Sequence, residues 1–377
     1  METVWNMGIS WNLFFQNLGT GLRTPMEAFS FLGTEQFLLL LMPALYWCVE
    51  AGIGLRVGVI LLLNAGVNDG LKLAFHGPRP YWYSPEVMAY ARETSFGLPS
   101  GHAQMAFAVW GMLAAIVNRG WGWAIALLVV LLIGISRLYL GVHFLHDVVV
   151  GWLIGAGLLW LVLRTWQPVA TRLKSLSGGQ QFLASFLASL GLFLFSLIPF
   201  LWLNVTGWQP LPAWVEHARD AMSLNASLTA AGTLFGLLAG MAWLNRRGGF
   251  DTSGALWQRI LRYLLGLAGI LVLYLGLKVV FGWIAPHMEA ALPYLLRYVR
   301  YALVGAWVSA GAPWMFVNLN LAKPASPFRR DLHDLQSLAR LKFRSGNFHR
   351  ARSSPGSPRR RRTLQPGRRR TDPDRDG

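Results

Sequence analysis

The sequence predicts an all-α fold, a polytopic transmembrane helical bundle that ends in a disordered basic tail. Three observations carry that prediction. The chain is 54% hydrophobic and only 14% charged, with a mean hydropathy of +0.39, which excludes an ordinary soluble domain. Apolar runs of ~20 residues, the length that crosses a hydrocarbon core, recur between short polar connections. The third observation is where the charge lies. Lys and Arg number 34 against 17 Asp and Glu, a net +17, but from Lys323 onward sixteen basic residues face five acidic ones, so the tail alone carries +11. The body is therefore only weakly basic and has no face suited to gripping a nucleic acid.

Taken in order, residues 1–33 mix Trp5, Trp11, Phe14, Phe15, Phe29 and Phe31 with Asn, Gly and Glu. That pattern is too broken to span and predicts an interfacial segment, where aromatic rings are favoured. Spans are expected at about 36–54, 57–75, 101–118, 121–140 and 146–165, then at 181–203, 226–244, 260–283 and 299–318, nine in all. From 323 to 377 the chain is rich in Arg, Ser, Pro and Gly and cannot bury enough surface to fold. It reads as a cytoplasmic tail able to contact anionic lipid headgroups at ~1 kcal/mol per basic residue. The single cysteine, Cys48, lies inside an apolar run, which excludes intrachain disulfides and thiolate metal centres.

Basic residues in short loops stay on the cytoplasmic side. The connections after the first, third, fifth and seventh spans carry Arg56, Arg119, the set Arg164, Arg172 and Lys174, and the set Arg246, Arg247, Arg259 and Arg262. These loops and the tail are expected in the cytoplasm. The outer ends of spans two to five, with everything on them, then face away from it.

At those outer ends sit three polar clusters: Lys72, six residues, Arg79-Pro80; Pro99-Ser100-Gly101-His102; and Ser136-Arg137, five residues, His143, three residues, Asp147. Ionisable groups beside hydrocarbon are costly and mark a functional site. Together they supply cations for a tetrahedral anion and two imidazoles for attack and proton transfer. His143 and Asp147 fall on one helical face, so the carboxylate can fix the tautomer that leaves the other ring nitrogen free. Lys72, Arg79 and Arg137 would neutralise non-bridging oxygens. Ser100 and Gly101, at a helix start, would present backbone N–H groups to the anion, and His102 would move the proton. No carboxylate cluster suggests a magnesium site, and no cofactor is expected.

These three clusters, in this order, resemble the signature motifs of the type 2 phosphatidic acid phosphatase (PAP2) superfamily, over roughly residues 34–166. The resemblance implies a PAP2-like catalytic transmembrane core and a metal-independent phosphohydrolase working through a phospho-histidine. It implies His143 as nucleophile, Asp147 as its partner and His102 as acid and base, with Lys72, Arg79, Ser100, Gly101 and Arg137 holding phosphate. It also implies an active site on the periplasmic or lumenal face of a multi-pass membrane protein, a bacterial inner membrane or an ER-type membrane. The additional helices at 181–320 lie outside the common core and have no assigned role. A site bordered by Tyr81, Trp82 and Tyr83 at a membrane surface favours a lipid phosphate or diphosphate as substrate: an isoprenoid diphosphate, phosphatidic acid or a sphingoid phosphate. A phosphotransferase with the same intermediate is the nearest alternative, and a transporter the alternative from another class.

Overall fold

A computed structural model gives the structure of residues 2–284 and 291–325. Fourteen α-helices are described, and the described residues form no β-sheet. Two short helices open the chain, α1 (Glu2–Gln16) and α2 (Arg23–Phe31). Helix α3 (Glu35–Ala44) runs through Pro43 into a π turn, Leu45–Val49. The core follows with α4 (Ala51–Phe75), a single turn α5 (Pro80–Tyr83), α6 (Gly101–Val117), α7 (Gly120–Tyr139) and α8 (Leu145–Lys174). A second group comprises α9 (Gly178–Val205), the short α10 (Val215–Ala221), α11 (Asn225–Arg246), α12 (Leu256–Ile284), α13 (Ala291–Ala306) and α14 (Ala312–Asn318). Of the predicted tail, 323–377, residues 326–377 lie outside those described.

Among the described residues six helices are long and apolar enough to cross a membrane, or seven if the bent pair Thr20–Phe31 and Glu35–Val49 counts as one span. The expected nine is thus too many by that measure, and the reasons are local. Helix α6 has only 17 residues, about 25 Å at 1.5 Å per residue. Helix α13 has 16 before a π turn, Trp307–Gly311, interrupts it. The α3 segment is broken by its own π turn and bends 46° from α2.

Helix ends follow local chemistry. Ser177 and Gln180 form a reciprocal capping box at the start of α9, with bonds of 3.3 and 2.9 Å. Helix α8 carries Asp147 in its first turn and Arg172 and Lys174 in its last, matching the helix dipole. His76 ends α4 in a left-handed conformation, φ 37°.

The two groups pack as one bundle. Helix α11 lies against α4, α9 and α13. On the α13 side its glycines recur every four residues, Gly232, Gly236 and Gly240, and a methyl on any of them would overlap the α13 backbone or Ser309. Such small-residue stripes let helices approach where no water drives association. By contrast α12 buries only Arg262 and Gly266 and turns an apolar surface outward.

Candidate active site

The C-terminal ends of α4 and α7 and the N-terminal ends of α6 and α8 lie together, and the three polar clusters meet there. His143 is in the turn between α7 and α8 and is almost fully buried. Its Nδ1 lies 3.3 Å from Asp147 Oδ2, which also accepts the Phe144 N–H at 2.9 Å. On the ring's other edge, Arg79 Nη1 lies 3.2 Å from His143 Nε2. A guanidinium can only donate, so Nε2 carries the lone pair and Nδ1 the proton that goes to Asp147. Burial, with Arg79, Arg137 and Lys72 close by, holds the His143 pKa well below the ordinary histidine range.

Arg79 is completely buried and clamps the loop between α5 and α6. Its Nε donates to the Ser95 carbonyl at 2.6 Å, Nη2 to Ser95 Oγ at 3.1 Å and to the Phe96 carbonyl at 3.2 Å, and Nη1 to the Val142 carbonyl at 2.9 Å. The guanidinium also lies over the Trp82 ring, 5.8 Å from its centroid. Lys72 Nζ donates to Ser95 Oγ at 2.7 Å, so Ser95 links two of the predicted cations.

Ser100 caps α6, its Oγ taking the Ala103 N–H, while its own N–H donates to the Asp147 carbonyl at 3.0 Å. The second cluster is thereby pinned to the third. A side chain on Gly101 would crowd Asn68 Oδ1 at 2.9 Å and stand 3.8 Å from Lys72 Nζ, which shows how closely that backbone approaches the cations. Behind it, Asn68 donates to the Pro99 carbonyl at 3.3 Å and to Gln104 at 2.9 Å. His102 lies within electrostatic range of Arg137, Glu93, Lys72 and Arg79, and His143 within range of His102. Ser136 is buried and bonds its own helix at the Ile133 carbonyl, 2.6 Å. All eight predicted site residues therefore gather in one cluster.

Sequence reasoning missed Glu93. Its carboxylate pairs with Arg137, which also donates to Ser30 Oγ at 2.5 Å. Burial works to raise the Glu93 pKa, but the guanidiniums of Arg137 and Arg79 outweigh it and hold the carboxyl well below its usual range. A single loop acid carries no periodicity, and only its place between Arg79-Pro80 and Pro99 could have singled it out. Two neighbouring contacts depart from what sequence spacing suggests. Asp69 stands three residues before Lys72 on α4, yet its Oδ2 accepts the Ser227 N–H of α11 at 3.1 Å, and no Asp69–Lys72 ion pair occurs among the described residues. The backbone donor at the start of α11 lies closer to the carboxylate than the ammonium, which turns to Ser95. Adjacent residues on a helix point about 100° apart, yet His146 Nε2 approaches Asp147 Oδ1 at 3.2 Å while its ring stacks on Phe144.

The second helical group reaches this site. Between α9 and α11, Trp208 packs on His76 and Phe96 (centroids 4.8 and 5.9 Å), while Trp214 and His217 stack on Trp82 (6.2 and 5.1 Å). Trp82 is the ring beneath Arg79, so the two groups share one aromatic wall.

Residues 53–170 match the model of the PAP2 superfamily, and residues 228–324 match that of the PAP2 superfamily phosphatase transmembrane extension. Phosphatidylglycerophosphatase B of Bacillus subtilis is 32% identical over 160 residues, 37% of this chain and 73% of that protein. The chain belongs to the PAP2 superfamily. It is a multi-pass integral membrane phosphatase of the PAP2 type. Glucose-6-phosphatase 3 of Bos taurus is 28% identical over 366 residues, 87% of this chain and 99% of that protein. A crystal structure of a transmembrane PAP2-type phosphatidylglycerolphosphate phosphatase from Bacillus subtilis aligns with a TM-score of 0.40 at 25% identity, over 45% of this chain and 89% of that one.

Proposed function

We propose that this membrane phosphatase hydrolyses a lipid phosphate or diphosphate through a phospho-His143 intermediate, without a metal, at the non-cytoplasmic membrane face. The observation that carries the mechanism is the imidazole of His143 held between Asp147 and Arg79, at 3.3 and 3.2 Å. Arg79 donates to Nε2 until a phosphoryl oxygen takes that N–H, and Nε2 is then free to attack. In the first step Nε2 bonds to phosphorus, the ester P–O bond breaks, and protonated His102 gives its proton to the leaving oxygen. In the second, neutral His102 takes a proton from water, the water oxygen bonds to phosphorus, the P–N bond breaks and its electron pair returns to Nε2. Lys72, Arg79 and Arg137, with the Gly101 backbone at the helix start that Ser100 caps, stabilise the charge on the non-bridging oxygens. Domain roles follow the same reading: 34–166 the catalytic core, 181–320 a supporting helical group. The non-cytoplasmic side rests on the distribution of Lys and Arg among the loops.

The lipid reading is supported by a site at a bundle end with aromatic borders, and by a relative whose name specifies a phosphatidylglycerophosphate. A second reading, a water-soluble sugar phosphate, is favoured by the relative named glucose-6-phosphatase 3, which this chain matches over 99% of its length. One experiment tests both. Purified protein in EDTA is offered undecaprenyl diphosphate, phosphatidic acid, sphingosine phosphate, phosphatidylglycerophosphate and glucose 6-phosphate, beside His143→Ala and His102→Ala. Phosphate release from a lipid, lost in both variants, is expected. Preference for glucose 6-phosphate selects the second reading, and activity abolished by EDTA or retained in His143→Ala overturns the mechanism.

A further inference from the structure

The geometry points to α1 as a positioning element of the catalytic turn, with Asn12 and Gln16 holding the backbone that carries His143. This rests on His143 being the nucleophile.

Helix α7 ends at Tyr139 and α8 begins at Leu145. The N–H groups of Leu140, Val142 and Gly141 reach the Ser136, Arg137 and Leu138 carbonyls, while the Tyr139 carbonyl accepts no backbone N–H among the described hydrogen bonds. Helix α1 adds side-chain donors to this turn. Asn12 Nδ2 donates to the Leu138 carbonyl at 2.8 Å and to the His143 carbonyl at 3.0 Å, bridging the two sides of the turn. One turn along, Gln16 Nε2 donates to the Tyr139 carbonyl at 3.0 Å and the Met88 carbonyl at 2.8 Å, while Gln16 Oε1 accepts the Met88 N–H at 3.1 Å. Two side chains thus fasten three backbone sites of the catalytic turn to the loop after α5. Gly141, at φ +74°, sits directly beneath; a side chain there would press on Gln16 Nε2 at 3.0 Å and on the Met88 carbonyl.

The polarity of α1 is reversed from that of a surface helix of a soluble protein. Ile9, Asn12 and Gln16 share the buried face, Asn12 fully so, while Met7, Trp11 and Phe14 are exposed. Its buried amides serve the turn, and its exposed apolar residues suit the membrane interface predicted for this segment. A helix that merely covered the site would need no such amides, and burying them is costly unless they bond. Asn12 bonds the carbonyl of the predicted nucleophile itself. Lys72, Ser100 and Gly101 have no contact with either amide among the described hydrogen bonds. Loosening α1 should therefore misplace Nε2 while leaving most of the phosphate-holding set in place.

The test uses the full-length protein. Asn12→Leu keeps similar volume and removes both donors; Asn12→His keeps a ring N–H. Turnover, competitive inhibition by inorganic phosphate, melting temperature and rapid-quench formation of radiolabelled phosphoenzyme are measured on each. Asn12→Leu is expected to lower kcat and phosphoenzyme formation by about 10- to 100-fold, the scale of an ångström-sized misplacement, with Asn12→His closer to wild type. The phosphate inhibition constant is expected to stay within about 3-fold, because ground-state phosphate binding is separate from attack. A folded Asn12→Leu with near wild-type kcat overturns the proposal. So does a fall in kcat matched by an equal loss of phosphate affinity. If Asn12→Leu does not fold, Gln16→Leu is judged by the same criteria. A wild-type enzyme that turns over without any phosphoenzyme refutes the histidine nucleophile instead, independently of the variants.

Discussion

Arg79→Lys separates charge from shape at the centre of the site. The substitution keeps one positive charge but replaces a planar fork with a single nitrogen carrying three donors. In the structure the guanidinium serves five acceptors: the carbonyls of Ser95, Phe96 and Val142, Ser95 Oγ, and His143 Nε2. An ammonium satisfies three at most, so at least two buried acceptors lose their partner. At ~1–3 kcal/mol for each unsatisfied buried group, the fold loses about 2–6 kcal/mol. Loss of the directed N–H contact with the phosphoryl oxygen should cost a further ~3–4 kcal/mol in the transition state, or about 10²- to 10³-fold in kcat/KM. The assay is kcat/KM on the best substrate, paired with a detergent melting curve and the phosphate inhibition constant. Near wild-type kcat/KM in Arg79→Lys would refute the reasoning, as would a lowered melting temperature with unchanged kcat/KM and phosphate affinity.

Glu93→Gln removes the anion that competes with substrate for Arg137. Inorganic phosphate should then inhibit about 10-fold more tightly, the scale of one charge-assisted hydrogen bond, while the melting temperature falls; unchanged inhibition would show that Arg137 does not meet phosphate. The pH dependence of stability follows from His143. Its folded pKa is depressed, so its contribution is fully present above the unfolded value of about 6.5 and is lost as pH falls toward the folded pKa. Melting temperature should drop between neutral pH and pH 5, and the drop should shrink in His143→Gln. Glu93 follows the same sign lower down: its depressed folded pKa gives stability above about 4.5 that acidification removes. Trp214→Ala, which removes a buried ring stacked on Trp82, should destabilise by ~3–5 kcal/mol. It should also raise the phosphate inhibition constant through Arg79, and a purely thermal effect would uncouple that aromatic wall from the site.

What the sequence disclosed was the set of ionisable residues at the ends of apolar helices. Lys72, Arg79, His102, Arg137, His143 and Asp147 stand out because a charge beside hydrocarbon is energetically unfavourable and is retained where a site uses it. The His143–Asp147 pairing was legible in a four-residue spacing, although His143 lies in the turn before α8 and not on the helix. Asn12 and Gln16 gave no such signal: an amide in a broken aromatic segment looks like any polar residue, and its importance appears only once the fold sets it against the turn that carries His143. Glu93 and Ser95 depend on how the loop at 84–100 folds back onto the cations, which no periodicity encodes. The role of Asp69 could not be read from spacing, because its partner is a backbone donor 158 residues away. Fewer helices pass on length and composition than the nine spans expected, because π turns and a 17-residue helix are indistinguishable from full spans in an apolar run.

The stacking of Trp214 and His217 on Trp82 makes the chain's later half a poor candidate for modular exchange. A chimera that grafts foreign helices after α8 would strip the backing from the ring under Arg79, even with each signature residue intact. The portable unit is then the sequence through α11, and any minimal enzyme engineered from this chain has to bring that tryptophan along.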